Sequence, residues 1–365
     1  MKNIYIDLAA KLTNKETVAV ATIVETKGSS PQVPGASALF SPSGLIAGTL
    51  GGGWLEAAAQ TKVLAAIGAG RTCLSAFSLR SHIDAEEGAI CGGDIQILID
   101  ARPAEHSGTF AALAHSLDQR ESGVLLTLLT RAAGGDVTIS RHWICGGTLS
   151  GEGTSPAEGI LPAMDVPSGL APYNNDITQA IAGGRTCLLN LQMDASMQDD
   201  RERLLFVEPI QPSPDLVIVG AGHIGRALTH LGSLLNFEVT VIDDRAEFAN
   251  KAMLPDADHI IIDSAGRALA AWAKKAVSYF VIVTHGHQQD ADALRQVITS
   301  GAAYIGMIGS TRKIALMRDK FIKQGWATAE QFDRVHAPIG IDIPCETVEE
   351  IAVSIAAELV AVRKR

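Results

Sequence analysis

One stretch restricts what this chain can fold into more than any other: LVIVGAGHIG, residues 216–225. A short, continuously apolar run suits a strand covered on both faces, and Gly220, Gly222 and Gly225 follow it in the spacing G-x-G-x-x-G. At a strand-to-helix junction each of these glycines has its own physical task. The first lets the chain turn, the second lets a pyrophosphate approach the backbone, and the third lets helix and strand pack closely. Asp243 stands at the end of the next apolar run, EVTVIDD, where an acid can bind ribose hydroxyls. Beyond it HIIID, YFVIVTHG and AYIGMIG alternate with helical stretches near 223–235, 265–276 and 289–300. Strands apolar on both faces and separated by helices predict a parallel sheet covered on both sides. The segment ETVEEIAVSIAAELVAVRKR reads as a helix with a capping box, Thr347 as N-cap and Glu350 three positions on.

More than two hundred residues precede that turn, and 365 residues are too many for one ordinary core. The expected fold class is α/β, with a mixed α/β N-terminal domain over 1–211 and a Rossmann-like parallel-sheet domain over 212–365. FVEPIQPSPD (206–215), with Pro209, Pro212 and Pro214, reads as the linker, because proline cannot donate to a ladder. In the front domain, a helix over 4–13 precedes strands in TVAVATIVETKG and ASALF. GLIAGTLGGGWLEAAAQTKVLAAIGAG then runs from strand through a glycine turn into a helix stopped at Gly68 to Gly70. RTCLSAFSL reads as a strand, and GGDIQILIDARP alternates like a half-buried one. A helix near 108–120, strands near 123–130 and 137–143, and a Gly/Pro-rich loop over 146–173 complete the middle. AAIGAGRTCLSAFSL (65–79) and QAIAGGRTCLLNLQM (179–193) echo one another, and the reading is two similar helix-to-strand connections.

The formal charge of −10 argues against nucleic acid as partner, since counterion release needs clustered Lys and Arg. An anionic small molecule held by backbone amides and helix N-termini remains compatible. No apolar run approaches bilayer length and the first residues carry no secretory pattern, so neither membrane insertion nor export is expected. Cys73, Cys91, Cys145, Cys187 and Cys345 are odd in number and scattered, without a C-x-x-C pair. That fits a reduced, cytoplasmic protein rather than a zinc ribbon.

Candidate binding residues fall into several groups. Gly28, Ser29 and Ser30 open a polar turn, and Gly51, Gly52 and Gly53 open a helix with Glu56 in its first turn. Small residues at both places expose successive amides, which make an anion nest. Cys91 precedes Gly92 and Gly93 at a loop-to-strand junction, and neighbours of so little bulk leave its thiol accessible. In THGHQQDAD, the acids are expected to cap a helix and His285 to contact a ligand at the sheet's carboxyl edge. A bound metal is not expected. Ser310, in GSTRK, either holds a phosphate or caps a helix, and His223 either faces the ligand or caps a carbonyl. Asp244 and Arg245 after Asp243 leave room for a 2′-phosphate.

Together these stretches resemble the XdhC/CoxI family, accessory proteins that mature molybdenum-containing hydroxylases such as xanthine and CO dehydrogenase. In the front domain the resemblance rests on GSSPQVPGA, GTLGGGWLEAAA and ICGGDIQILID. In the rear domain it rests on LVIVGAGHIGRAL, VTHGHQQDADAL, YIGMIGSTRK, RVHAPIGIDI and EEIAVSIAAELVAVR. Residues 102–205 carry little of it. After PIGIDI this chain departs from the family's usual Gly, small residue, Thr-Pro, having Pro344, Cys345, Glu346, Thr347 and Val348 instead.

The resemblance implies a cofactor chaperone rather than a catalyst of its own. It would bind the molybdenum cofactor, as molybdopterin or its dinucleotide form, and assist its sulfuration by a cysteine desulfurase. Delivery to a hydroxylase of the xanthine dehydrogenase type would follow. Cys91 is the expected thiolate contact, because molybdenum and its sulfido ligand are soft. Gly28 to Ser30, Gly51 to Gly53, Glu56 and Cys91 are expected to line the wall opposite the Rossmann glycines. A homo-oligomer is expected. Two other classes stay open: an NAD(P)-dependent oxidoreductase acting on a small substrate, and a nucleotide-sensing binding module.

Overall fold

A computed structural model describes residues 3–79, 92–145, 168–191, 201–272 and 278–363. The chain divides after Pro212 into a front unit and a rear unit beginning at Ser213.

The front unit opens with α1 (Ile4–Thr13), whose first turn is capped by the Asn3 side chain accepting the Tyr5 backbone N–H at 3.0 Å. β1 (Ala19–Lys27), β2 (Ser37–Ser41), β3 (Gly44–Gly48), β4 (Cys73–Ser78) and β5 (Asp94–Asp100) form one antiparallel sheet, ordered β3-β2-β1-β5-β4. α2 (Gly53–Ala69) covers one face of it and ends on Gly70 in the left-handed conformation. After α3 (Ser107–Asp118), four strands make a second antiparallel sheet: β6 (Gly123–Arg131), β7 (Val137–Cys145), β8 (Cys187–Asn190) and β9 (Glu202–Ile210). Their order is β7-β6-β9-β8, and α4 (Asn174–Ala182) packs on this sheet.

β5 corrects the half-buried reading of DIQILID, for Ile95 and the four consecutive residues Ile97–Asp100 are buried. Ile95, Ile97 and Ile99 face α2, while Leu98 packs with Leu129, Leu204 and Phe206 of the second sheet. A strand flanked on both edges and covered on both faces has no wet side to show as alternation. Both echoed stretches are indeed a helix, a glycine stop and a strand, α2 to β4 and α4 to β8.

The linker reading of 206–215 is also corrected. Phe206–Ile210 completes β9, and Pro209 stands opposite Val124 of β6. β8 pairs with β9 only as far as Val207, so Pro209 lies where one edge of the strand has no neighbour to receive a donor. Only the residues after Ile210 connect the two units.

In the rear unit β10 (Asp215–Val219), β11 (Glu238–Asp243), β12 (His259–Ile262), β13 (Ser278–Ile282) and β14 (Tyr304–Met307) form a parallel sheet. Its order is β12-β11-β10-β13-β14, with a switch point between β10 and β13, as the Rossmann reading expects. α5 (His223–Leu234) and α10 (Val348–Arg363) cover one face through Leu216, Ile218, Leu228, Ile355 and Leu359, each with no measurable exposure. Residues from α6 (Ala265–Trp272), α7 (His287–Val297), α8 (Thr311–Lys323) and α9 (Ala329–Asp333) pack on the other. The capping box of α10 forms: Thr347 Oγ1 accepts the Glu350 N–H at 3.2 Å, and Glu350 Oε2 accepts the Thr347 N–H at 2.9 Å. No helix among the described residues is long and apolar enough to cross a membrane.

Candidate functional site

The three glycines of the rear turn separate into two kinds. At Gly220, φ is +116° and an added Cβ would lie 2.4 Å from the Val283 carbonyl oxygen. At Gly225 it would lie 1.9 Å from the Gly220 carbonyl oxygen. The fold itself excludes side chains at both. At Gly222 φ is −71°, and no protein atom stands within 4 Å of where a Cβ would be. Gly222 is the N-cap of α5 and offers no side chain to the first helical amides. Free amides, open space and the positive end of a helix dipole suit a phosphate group.

Asp243 lies at the end of β11 and is buried. Its Oδ2 accepts the Ala221 N–H at 2.8 Å, which ties the glycine turn to the second strand. Arg245 donates to the same carboxylate three times: backbone N–H and Nε to Oδ1 at 3.0 and 2.9 Å, and an Nη to Oδ2 at 2.8 Å. Burial would raise its pKa, but these bonds outweigh burial and hold the carboxyl below its usual range. The Arg245 guanidinium also lies 4.2 Å from the Phe248 ring centre. Beside the turn, at the carboxyl ends of β10, β11 and β13, a crevice is lined by Gly220, Asp243, Asp244, Ser264, Thr284 and Asp292, among others. Ligands bind in such folds at this edge.

The acids of THGHQQDAD do not cap the helix as expected. α7 begins at His287 with Gly286 as a bare N-cap. Asp290 instead reaches back to the strand end, its Oδ1 accepting Thr284 Oγ1 at 2.6 Å and the Thr284 N–H at 3.2 Å. Burial raises its pKa against those bonds. Asp290 thus binds the hydroxyl and amide of a residue six positions before it, and its carboxylate is turned to the strand end. Asp292 lines the crevice, and His285 is exposed. Ser310 is the N-cap of α8, accepting the Lys313 N–H at 3.4 Å, so of its two readings the capping one is realised. His223 is exposed and lines a different groove, with Arg226, His230, Met253 and Glu349. Among the described residues no group of three His, Cys, Asp or Glu side chains is set to hold a metal.

In the front unit the structure brings three of the quoted stretches together. A Cβ on Gly93 would fall 2.4 Å from the Ser29 carbonyl oxygen, and one on Gly51 would fall 2.9 Å from Cγ of Pro31. The backbone of 28–29 thus packs against Gly92 and Gly93, while Pro31 packs against the turn that opens α2. Gly51, Gly52 and Gly53 have φ of +115°, +72° and +56°, a run that only glycine accepts readily. Glu56 fastens this turn. Its Oε2 accepts Thr49 Oγ1 at 2.7 Å and the Leu50 N–H at 3.0 Å, and Thr49 Oγ1 accepts the Gly51 N–H at 3.1 Å. Ser30 Oγ accepts the Gln32 N–H at 3.4 Å. Cys91 lies outside the described residues. Cys73 and Cys187 are partly buried against the cores beneath α2 and α4, and Cys145 is exposed.

Sequence reading missed the buried polar centre of this unit. Arg141, from β7, pairs with Asp100, from β5, and its Cζ stands 5.0 Å from the Phe110 ring centre. Nearby, Tyr5 donates from its hydroxyl to Glu208 Oε1 at 2.9 Å. Burial pushes the Glu208 carboxyl up to about 7, with Arg141 and the Tyr5 bond opposing. Nothing local marks these residues, because the partners are 41 and 203 positions apart.

Two family models match the chain: one described as the XdhC Rossmann domain over residues 216–359, the other as the XdhC and CoxI family over residues 12–78. A Bacillus subtilis (strain 168) protein named as a probable xanthine dehydrogenase subunit is 27% identical over 367 residues, spanning 100% of this chain and 99% of its own length. An uncharacterized Escherichia coli K12 protein, YqeB, is 34% identical over 160 residues, 44% of this chain and 29% of that protein. A solved structure named a xanthine dehydrogenase from Bacillus halodurans matches with a TM-score of 0.74 at 23% identity, covering 99% of this chain and 96% of that one. That last likeness speaks to the fold.

Proposed function

This chain belongs to the XdhC and CoxI family, and on that premise we propose that it is a maturation factor that binds the molybdenum cofactor, assists its sulfuration and delivers it to a hydroxylase of the xanthine dehydrogenase type. The observation that carries the reading is Gly222. Its two companions are glycines because the fold would clash otherwise, whereas Gly222 faces open space at a bare helix N-terminus. A phosphate of an anionic cargo accounts for that arrangement.

The residues present fit such a cargo. Amides at Gly222 and the first turn of α5 would hold the phosphate or pyrophosphate, and the crevice beside Asp243 would take a nucleoside portion. In the front unit, the amides of Gly52 and Gly53, on a turn fixed by Glu56, would make a second anion nest. Gly28 to Ser30 and Gly92 to Gly93 make one surface beside it. Cys91, next in the chain to Gly92, would supply a soft thiolate toward molybdenum or accept sulfur from the desulfurase. The protein's part is to bind, shield and orient. The terminal sulfido ligand, once installed, makes the delivered cofactor competent in the hydroxylase.

Anaerobic purification followed by molybdenum and pterin analysis tests this, together with activation of an apo-hydroxylase by the loaded chain. Bound molybdopterin and activation are expected. Bound nicotinamide with turnover of carbonyl substrates would make the chain an NAD(P)-dependent oxidoreductase instead.

A further inference from the structure

The crevice beside the rear glycine turn contains three carboxylates, and they are not equivalent. Asp243 has nothing left to offer a ligand. An ionised carboxylate has about four acceptor positions, and Asp243 fills them with Ala221 and three donors of Arg245. Asp244 and Asp292 are exposed side chains of the same lining. Asp244 receives one long bond there, from Gln289 Nε2 at 3.4 Å.

We propose that Asp244, with Asp292 of α7, is the hydroxyl acceptor of this crevice, which therefore selects a nucleotide with free ribose hydroxyls and rejects one bearing a 2′-phosphate. The proposal rests on the reading of the rear unit as a nucleotide site and names its specificity. Ribose hydroxyls donate, and carboxylates accept such donors with charge assistance. A 2′-phosphate only accepts, and it would bring about two negative charges beside two carboxylates. Among the described residues, the lining of the crevice has no Lys or Arg to meet it. Arg245 stands close in sequence but is committed elsewhere. Turning it toward a phosphate would strip both guanidinium bonds from the buried Asp243 and lift the guanidinium off Phe248. Asp243 and Arg245 are thus a fixed support beneath the glycine turn, and recognition passes to the next residue along.

Calorimetric titration of the full chain with AMP, CMP, their 2′-deoxy forms and adenosine 2′,5′-bisphosphate tests the proposal. The better-bound ribonucleotide should exceed its 2′-deoxy form by about 10- to 100-fold, the usual weight of a hydrogen bond to a charged group. AMP should exceed the bisphosphate. Asp244→Asn should cut ribonucleotide affinity at least about tenfold, leave the 2′-deoxy form unchanged, and keep the melting temperature. Discrimination surviving in Asp244→Asn overturns the proposal. So does tight bisphosphate binding that Arg245→Gln abolishes, and so does failure of every nucleotide to bind. Where the wild-type chain still carries molybdopterin in the pterin analysis, any of these failures removes the specificity assignment and leaves the maturation reading standing.

Discussion

Replacing Gly222 and Gly225 separately should divide ligand binding from folding within one turn. At Gly225 an alanine Cβ would lie 1.9 Å from the Gly220 carbonyl oxygen, a backbone atom that cannot swing aside. Overpacking of this kind costs about 1–3 kcal/mol, and alanine returns about 1 kcal/mol of helix propensity. Because the overlap is extreme and involves backbone, the cost belongs at the upper end. A net loss of about 2 kcal/mol is expected, or roughly 4–8 °C in melting temperature for a unit of this size. At Gly222 the same methyl meets nothing within 4 Å, and φ of −71° with extended ψ is open to any residue. Losing glycine at an N-cap and gaining from a stiffer unfolded chain nearly cancel, so stability should move by less than about 1 kcal/mol. Binding should reverse the order. Gly222→Val places a branched side chain where a phosphate would approach and should abolish retention of molybdopterin or nucleotide. Differential scanning fluorimetry and calorimetry on both variants suffice. Equal melting losses at the two positions, or undiminished binding by Gly222→Val, would refute the division.

Three further outcomes follow from the front unit. Glu208 has a folded-state carboxyl raised to about 7 from 4.5, so its stabilising neutral form is fully present below pH 4.5 and lost as pH rises through 7. Glu208→Gln should therefore match the parent at pH 4.5 and exceed it by up to about 3 kcal/mol at pH 8; thermal melts that decline in parallel over that range would sink the idea. Glu56→Ala removes two bonds to Thr49 and Leu50 and should loosen the glycine turn, costing about 1–3 kcal/mol and quickening amide exchange at Leu50 and Gly51; unchanged exchange would leave Glu56 without that role. Cys91→Ser should keep the fold and lower activation of an apo-hydroxylase, while Cys73→Ser and Cys187→Ser should not; three variants acting like the parent would remove the thiol from the chemistry.

The rear sheet was legible because its information is local: each apolar run, glycine and helix start lies within a few residues of what it specifies. The capping of α10 by Thr347 and Glu350 was legible for the same reason. What escaped depends on partners distant in the chain. Arg141 lies in an expected strand with nothing beside it to mark it as buried, yet Asp100 pairs with it in the interior. Pro209 reads as a breaker, yet the neighbouring strand simply stops short of it. Glu56 and Asp243 stood where ligand contacts are expected. Their carboxylates turned out to hold the turns themselves, through Thr49 and Leu50 in one case and Ala221 in the other. No residue type announces whether its acceptors are already taken.

The position of α10 sets an order of events during synthesis. All five strands of the rear sheet and helices α5 to α9 are translated before it. Until it arrives, Leu216, Ile218 and Leu228 lack the Ala352, Ile355 and Leu359 side chains that finally bury them. Domains form in the order in which they leave the ribosome. The front unit can close on its own strands while translation continues, but the rear unit waits, one face covered by α5 alone, until α10 emerges. A nascent chain paused in that interval presents the part of that apolar face which α10 will cover to chaperones and to its own copies. The half that carries the G-x-G-x-x-G turn is therefore the late half, and stalled translation endangers it first.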